Sequence, residues 1–358
     1  MGTQRFCLAA VAILFALVPR PIVDGACASE SADGLPAFRY QGVVLGYEGL
    51  KYRPHDDVIF PSVIKAYQYF RKPLGRYYLY YAPHTVPGGI CLAYANKLEG
   101  PWKEYESNPL IGNNWPPHYK VSHVSSPDAV WNAEEHKLFL YYHGENTETR
   151  YAISCDGVHF EYGGVAVRSK QFVDGKGGCS SYSRVARYSF PGKDNRWIMM
   201  GMAGSHTLDA NSKPMLQLVV FLAWSKDGRS WTAQRAPFIV PAGELYKAGV
   251  FSSVGSPWYF PWKGKHYIIV LGDLPLYPGV ISERQKTNLY VYETDPGFTK
   301  TELRGKLLDR RVVGPENDRV DSCCIVKEDG KLYMFMAIGT RLNQKIGLAI
   351  ADLHPARQ

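Results

Sequence analysis

Phe60-Pro61-Ser62-Val63-Ile64 runs through a turn into Tyr77-Tyr78-Leu79-Tyr80-Tyr81, and Ser126-Pro127-Asp128-Ala129-Val130-Trp131 runs likewise into Leu138-Phe139-Leu140-Tyr141-Tyr142. Both follow one plan: a small-residue or proline entry, an apolar run, a reversal, then an aromatic-rich run ending in a polar loop. Further copies begin at Tyr182-Ser183-Arg184, Ser256-Pro257-Trp258 and Asp321-Ser322-Cys323, four of the five close and one looser. Their spacing of about 55–75 residues suits a four-stranded propeller blade with its loops. The runs are short, rich in Val, Ile, Tyr, Phe and Trp, and bounded by Gly, Pro, Asn or Asp, with no long helical period. These features predict an all-β chain folded as a five-bladed β-propeller of four-stranded antiparallel blades.

A second motif recurs within the blades. Ser154-Cys155-Asp156-Gly157-Val158-His159-Phe160 and Ser225-Lys226-Asp227-Gly228-Arg229-Ser230-Trp231 each place Asp-Gly in a tight turn and return an aromatic to the core. Lys97-Leu98-Glu99-Gly100-Pro101-Trp102 and Asp295-Pro296-Gly297-Phe298 occupy the same place in their blades. All four are expected to be outer hairpins with a structural role.

With 358 residues and 46% apolar content, the chain can bury a large core. Arg5 precedes an apolar run from Phe6 to Val18 that is too short to span a bilayer, and Ala26-Cys27-Ala28 offers small residues for cleavage. Residues 1–28 are therefore expected to be a secretory signal peptide and 29–358 one propeller domain, outside the cytoplasm and not membrane-bound after cleavage. Loss of Arg5, Arg20 and Asp24 would lower the formal net charge of +8 by one. The remaining excess suits an acidic or sulfated ligand, while the scattered Lys and Arg residues form no nucleic-acid stripe. Five cysteines follow the leader, namely Cys91, Cys155, Cys179, Cys323 and Cys324, so at least one is free or pairs between chains. The adjacent Cys323-Cys324 is expected to be a buried thiol pair in an inner strand.

Propeller geometry brings the approach to each blade's first strand and the exit of its second strand onto one face. The approaches carry His55, Asp56 and Asp57 in the first blade, His123 in the second, and Glu316, Asp318, Arg319 and Asp321 in the fifth. The exits carry His84, then His143 and Glu145, then His206 and Asp209, then Asp273, then Arg341. Polar groups recurring at matching blade positions are expected to ring a central pocket.

Gly89-Ile90-Cys91-Leu92-Ala93-Tyr94 with Leu98-Glu99-Gly100-Pro101-Trp102, and Ser126-Pro127-Asp128-Ala129 with the Asp-Gly hairpins, resemble five-bladed propeller glycoside hydrolases of the family 43 arabinosidase and xylosidase type. The resemblance spans essentially the whole mature chain. It implies hydrolysis of a glycosidic bond by a carboxylic acid and a carboxylate, with inversion, the two groups standing about 6.5–9.5 Å apart to admit water. The family places three acids at the starts of the inner strands of blades one to three. Here those positions hold Phe60, Ser126 and Ser181 or Tyr182, and only the fifth blade has a carboxylate, Asp321, in that frame.

The catalytic carboxylates are accordingly expected among Asp57, Asp128, Glu145 and Asp321. Asp57 is the nearest substitute for the first acid, and Glu145, beside His143 and after Gly144, which is expected to let the backbone approach a ligand closely, is the first choice for the proton donor. Asp128, in an otherwise apolar strand, either orients a sugar hydroxyl or braces neighbouring blades. Substrate contacts are expected from His84, His123, His143, Arg184, Asp273 and Arg341, with Arg184 either clamping an anionic substituent or pairing with Asp128 or Asp321. Trp115, His118 and Tyr119 offer a stacking platform for a sugar ring. No zinc-ligand spacing occurs and no cofactor is expected, although an axial cation such as calcium remains compatible with ligands gathered from separate blades. The partner is an oligosaccharide or polysaccharide. Rival readings are a carbohydrate-binding propeller that has lost the expected acids, a glycoside phosphorylase using Arg184, Arg319 and Arg341, and, more remotely, a six-bladed sialidase.

Overall fold

Short apolar runs separated by turns give five four-stranded sheets, each winding outward from a central axis. The computed structural model describes residues 34–172, 179–208, 214–241, 254–273, 286–314 and 316–353, without the side chains at 205–208, 214–217 and 273. The expected leader lies outside the described residues. A first strand, β1 (Arg39–Leu45), precedes blade one, which comprises β2 (Ile59–Ile64), β3 (Tyr77–Ala82), β4 (Cys91–Ala95) and β5 (Lys103–Glu104). One helical turn, α1 (Ala66–Tyr69), and a small hairpin of β6 (Asn114–Trp115) and β7 (Tyr119–Lys120) lie outside the blades. Blade two is β8 (Val124–Asn132), β9 (Lys137–Gly144), β10 (Glu148–Ser154) and β11 (Glu161–Arg168). Blade three is β12 (Ser181–Arg187), β13 (Trp197–Leu208), β14 (Pro214–Ser225) and β15 (Trp231–Ala233). Blade four is β16 (Val254–Trp262), β17 (Lys265–Asp273), β18 (Thr287–Thr294) and β19 (Thr301–Leu308).

Blade five draws on both ends of the chain. Its inner three strands are β20 (Arg319–Glu328), β21 (Lys331–Thr340) and β22 (Asn343–Asp352), and its outermost strand is β1, antiparallel to β22 with Arg39 opposite Ile350. Each inner strand touches the inner strands of the blades beside it, β2 meeting β8 and β20, and β12 meeting β8 and β16, while β16 meets β20. The ring is thereby closed.

Apolar side chains that alternate along every strand pack between blades, because both faces of each sheet are covered by neighbours. Tyr78, Tyr80 and Leu92 of blade one meet Leu138, Leu140 and Tyr142 of blade two in one such layer. Phe139 and Tyr141 meet Met199, Val219 and Phe221 in the next.

The Ser-x-Asp-Gly motif has a structural explanation here. Ser154 Oγ accepts the Gly157 N–H at 2.8 Å, and Asp156 Oδ1 accepts the N–H groups of Val158 and His159 at 2.9 and 2.8 Å. Ser225 and Asp227 repeat these bonds. Gly157 and Gly228 both have φ of 77°, a conformation that favours glycine. Their carbonyls then accept a hydroxyl from the preceding blade, Tyr80 to Gly157 at 2.7 Å and Tyr141 to Gly228 at 2.6 Å. The outer turn thus stitches adjacent blades together.

Candidate active site

Every inner strand is interrupted at the same place. Register shifts fall between Ile59 and Ser62, Ser125 and Asp128, Ser181 and Arg184, Gly255 and Trp258, and Asp321 and Cys324. Within each bulge one non-glycine residue adopts a left-handed backbone: Phe60, Ser126, Tyr182, Ser256 and Ser322, with φ between 45° and 60°. A bulge inserts an extra residue and re-aims its side chain, and five bulges at one level gather these side chains at the axis. Phe60 and Tyr182 stack with ring centroids 4.8 Å apart, and Ser322 Oγ lies 3.1 Å from Ser256 Oγ. Ser126 Oγ is buried without a hydrogen-bond partner among the described residues.

Below this layer Arg184 is buried. Its guanidinium donates to the carbonyls of Pro127 at 3.0 Å and Pro61 at 3.1 Å, pairs with Asp128 at 3.2 Å, and lies over the Trp258 ring. Asp128 also accepts the Val185 N–H at 2.7 Å. Burial pushes the Asp128 carboxyl up despite the Arg184 charge. The pair joins blades one to four across the axis.

Above the layer, the strand approaches and exits form a continuous polar chain. His84 Nε2 lies 3.1 Å from the Tyr182 hydroxyl, and the His84 backbone N–H donates to Asp57 Oδ2 at 3.1 Å. Asp57 Oδ1 accepts the Gln344 N–H at 2.9 Å, the Gln344 side chain reaches Asp321 at 3.4 Å, and Arg319 pairs with Asp321 at 3.0 Å. In the other direction the rings of His143 and Tyr182 stand 5.5 Å apart, as do those of His123 and His143.

Desolvation dominates the electrostatics. Asp57, only 1% exposed, has its carboxyl pushed up to about 6 by burial, against two backbone N–H groups that favour the charged form. Burial, and then the positive charges of Arg341 and Arg319, hold His84 down at about 4. His123 is lowered chiefly by burial, and His143 well below the ordinary range for the same reason. These imidazoles are therefore neutral near pH 7. His143 Nδ1 is buried without a partner among the described residues.

Glu145 is exposed on the same face, with φ of 60° and its carboxylate accepting the Ser122 N–H at 3.3 Å. The expectation that Gly144 leaves room for a ligand is corrected. A Cβ there would lie 2.8 Å from Arg150 Nη1 and 3.2 Å from the His123 carbonyl, so the glycine admits protein atoms.

The structure thus brings together Asp57, Asp321, His84, His123, His143, Glu145, Arg319 and Arg341, and sets Asp128 and Arg184 beneath them. The Asp273 backbone ends β17 opposite Thr287, while its side chain and that of His206, and the whole of Asp209, lie outside the described residues. Asp56 pairs with Arg53 at 2.6 Å in its own loop. Trp115, His118 and Tyr119 pack against Tyr162 on the outermost strand of blade two, away from the axis. Gln344, the link between the two buried carboxylates, was not anticipated, since a glutamine opening a third strand carries no sequence cue. The five cysteines among the described residues are free thiols, with Cys323 and Cys324 buried. No group of three metal-ligating side chains occurs among the described residues. A cleft of about 490 Å³, lined by Lys265, His266, Glu293 and Asp295 among others, sits at the opposite ends of the strands.

No protein-family model matches the chain. No curated protein matches it either. Among solved structures, BT0996 in its RGII complex is 13% identical, with a TM-score of 0.59 over 90% of this chain and 94% of that one. The α-L-arabinofuranosidase PaAbf62A from Podospora anserina, in complex with cellotriose, is 9% identical, with a TM-score of 0.56 over 89% and 98%. An N-acetylgalactosamine deacetylase from F. plautii, in complex with blood group B trisaccharide, is 16% identical, with a TM-score of 0.53 over 89% and 94%. At these identities the likeness is one of fold, and this chain shares its five-bladed propeller with all three.

Proposed function

We propose that the axial face is the active site of a glycoside hydrolase that cleaves an oligosaccharide or polysaccharide. The observation that carries this reading is the convergence, on one face, of a desolvated carboxyl held near pH 6, a second buried carboxylate and an exposed one, contributed by three separate blade approaches and exits. Carboxyl groups whose surroundings differ this much can divide proton donation and water activation between them. Glu145, which solvent reaches, is the group assigned to substrate. Asp57 and Asp321, joined through Gln344, supply the second carboxyl function, and Asp57 holds a proton at mildly acidic pH. His84, His143 and Tyr182 line the floor as neutral hydrogen-bonding groups. Arg184 and Asp128 position the inner strands. Hydrolysis by carboxyl groups requires no cofactor. A family 43-like inverting course and export through the N-terminal leader complete the proposal.

A second reading, a carbohydrate-binding propeller, is favoured by one specific observation: none of the five bulge residues that stand closest in to the axis is acidic. The two are separated by incubating the protein from Ser29 onward with plant, algal and bacterial oligosaccharides and analysing products by mass spectrometry. A product shorter by one or more sugars establishes the hydrolase. Binding without products, seen by calorimetry on the same panel, establishes the lectin-like reading.

A further inference from the structure

Arg341 occupies the two-residue turn between β21 and β22, where Thr340 pairs with Asn343 and Leu342 adopts φ of 62°. The turn stands on the axial face, and the charge of Arg341 acts on both His84 and Tyr182. Among the described residues Arg341 has neither a hydrogen bond nor an ion pair. The other arginines around the axis differ: Arg184 is matched by Asp128, Arg319 by Asp321 and Arg150 by Glu148. Asp57, the remaining carboxyl nearby, is occupied by two backbone N–H groups and is only 1% exposed. Arg341 is therefore a half-buried cation near enough to His84 and Tyr182 for its charge to act on both, with no ion pair among the described residues.

Such a cation is poorly solvated and calls for an anion, and the planar guanidinium matches a carboxylate or sulfate through two parallel hydrogen bonds. On the same face, with its ring 5.5 Å from that of Tyr182, His143 is 2% exposed and its Nδ1 has no partner among the described residues. A buried polar atom without a partner is costly unless water or ligand completes it. We infer that the axial site accepts a glycan unit carrying a carboxylate or sulfate ester, with the anionic group on Arg341 and a ring hydroxyl on His143. The inference rests on the glycan-hydrolase reading and narrows its substrate class.

Isothermal titration calorimetry of the mature chain tests it, using three sets of probes: uronate-containing oligosaccharides, the same compounds after carboxyl reduction to neutral sugars, and sulfated oligosaccharides. The expected result is a preference of at least about tenfold for an acidic set over the neutral one, the scale of one charge-assisted contact. The preference disappears in Arg341→Gln, and His143→Phe weakens acidic and neutral ligands alike. Whichever acidic set binds identifies the anion as uronate or sulfate. Neutral counterparts that bind as tightly as the acidic compounds overturn the inference and leave the glycan reading standing. An acidic preference that persists in Arg341→Gln overturns the assignment to this residue. Failure of every acidic and neutral oligosaccharide to bind overturns the glycan reading together with the inference. Arg341 lies in a turn outside the core, so an unchanged melting temperature accompanies the interpretable variant.

Discussion

At the scale of single residues, Asp57 and His84 have opposite effects on stability. Folded Asp57 keeps its proton to about pH 6 against an ordinary 3.8, so the folded chain binds the extra proton between those values and stability falls as pH rises from about 4 to 6. Folded His84 titrates at about 4 against an ordinary 6.5, so the unfolded chain binds the extra proton and stability falls as pH drops from 6.5 to 4. Each displacement corresponds to about 3 kcal/mol, and the two largely offset one another. Replacing Asp57 by Asn leaves the histidine effect unopposed, with His123 and His143 adding to it. Urea denaturation of Asp57→Asn between pH 4 and 6.5 is expected to show a steeper loss of stability on acidification than the parent chain, and parallel curves would refute the coupling. For catalysis, Glu145→Gln and Asp57→Asn are each expected to lower turnover by about a hundredfold or more with the fold retained; near-normal turnover removes the residue from the mechanism. The sequence revealed that polar residues recur at matching blade positions, which is why most members of the axial chain could be named. It did not reveal which of them are desolvated. Burial of Asp57 and exposure of Glu145 depend on loops from other blades, and no local pattern encodes that.

At the scale of the element, the bulge in each inner strand is the repeated device. The Pro or small-residue entries marked where each strand begins, yet the left-handed residue inside it was legible only as a departure from the expected acids at Phe60, Ser126 and Tyr182. The five positions do not bear their strain equally. Phe60 and Tyr182 stack on one another, and Ser256 and Ser322 share a hydrogen bond. Ser126 has φ of 57° and a buried hydroxyl with no partner among the described residues, so none of them offsets the strained backbone through its side chain. Ser126→Gly is expected to stabilise the chain by about 1 kcal/mol, because glycine adopts that conformation without a Cβ penalty and the orphan hydroxyl is removed. Thermal denaturation showing a lower melting point would mean that the hydroxyl is satisfied, by ordered water for example. The Ser-x-Asp-Gly hairpins were fully legible, since turn chemistry is local; that their carbonyls also receive Tyr80 and Tyr141 was not.

At the scale of the whole molecule, five repeats of an apolar plan specified the ring, whereas the device that holds its centre came from three dimensions. Arg184 and Asp128 are buried, and each depends on the other for its counter-charge. Removing one member leaves an uncompensated buried charge, at a cost of about 3–5 kcal/mol, whereas removing both leaves none. Arg184→Met and Asp128→Leu are each expected to destabilise the chain strongly, and the double variant to be less destabilised than the sum of the two. Strict additivity in a double-mutant cycle would show that the pair does not join the blades as described. The alternative of Arg184 clamping a substrate anion was open from sequence because the register of four blades decides which carboxylate it meets.

Blade five, completed by β1 against β22, has a consequence for biogenesis. Arg39 pairs with Ile350, more than 300 residues later in the sequence, so the first of the described strands to leave the ribosome waits longest for its hydrogen bonds. Until then it is an unpaired edge, open to pairing with another nascent chain. Arg39 and Gln41 are turned to solvent at its start, whereas Val43 is half exposed, so the polar protection of that waiting strand is confined to its N-terminal half.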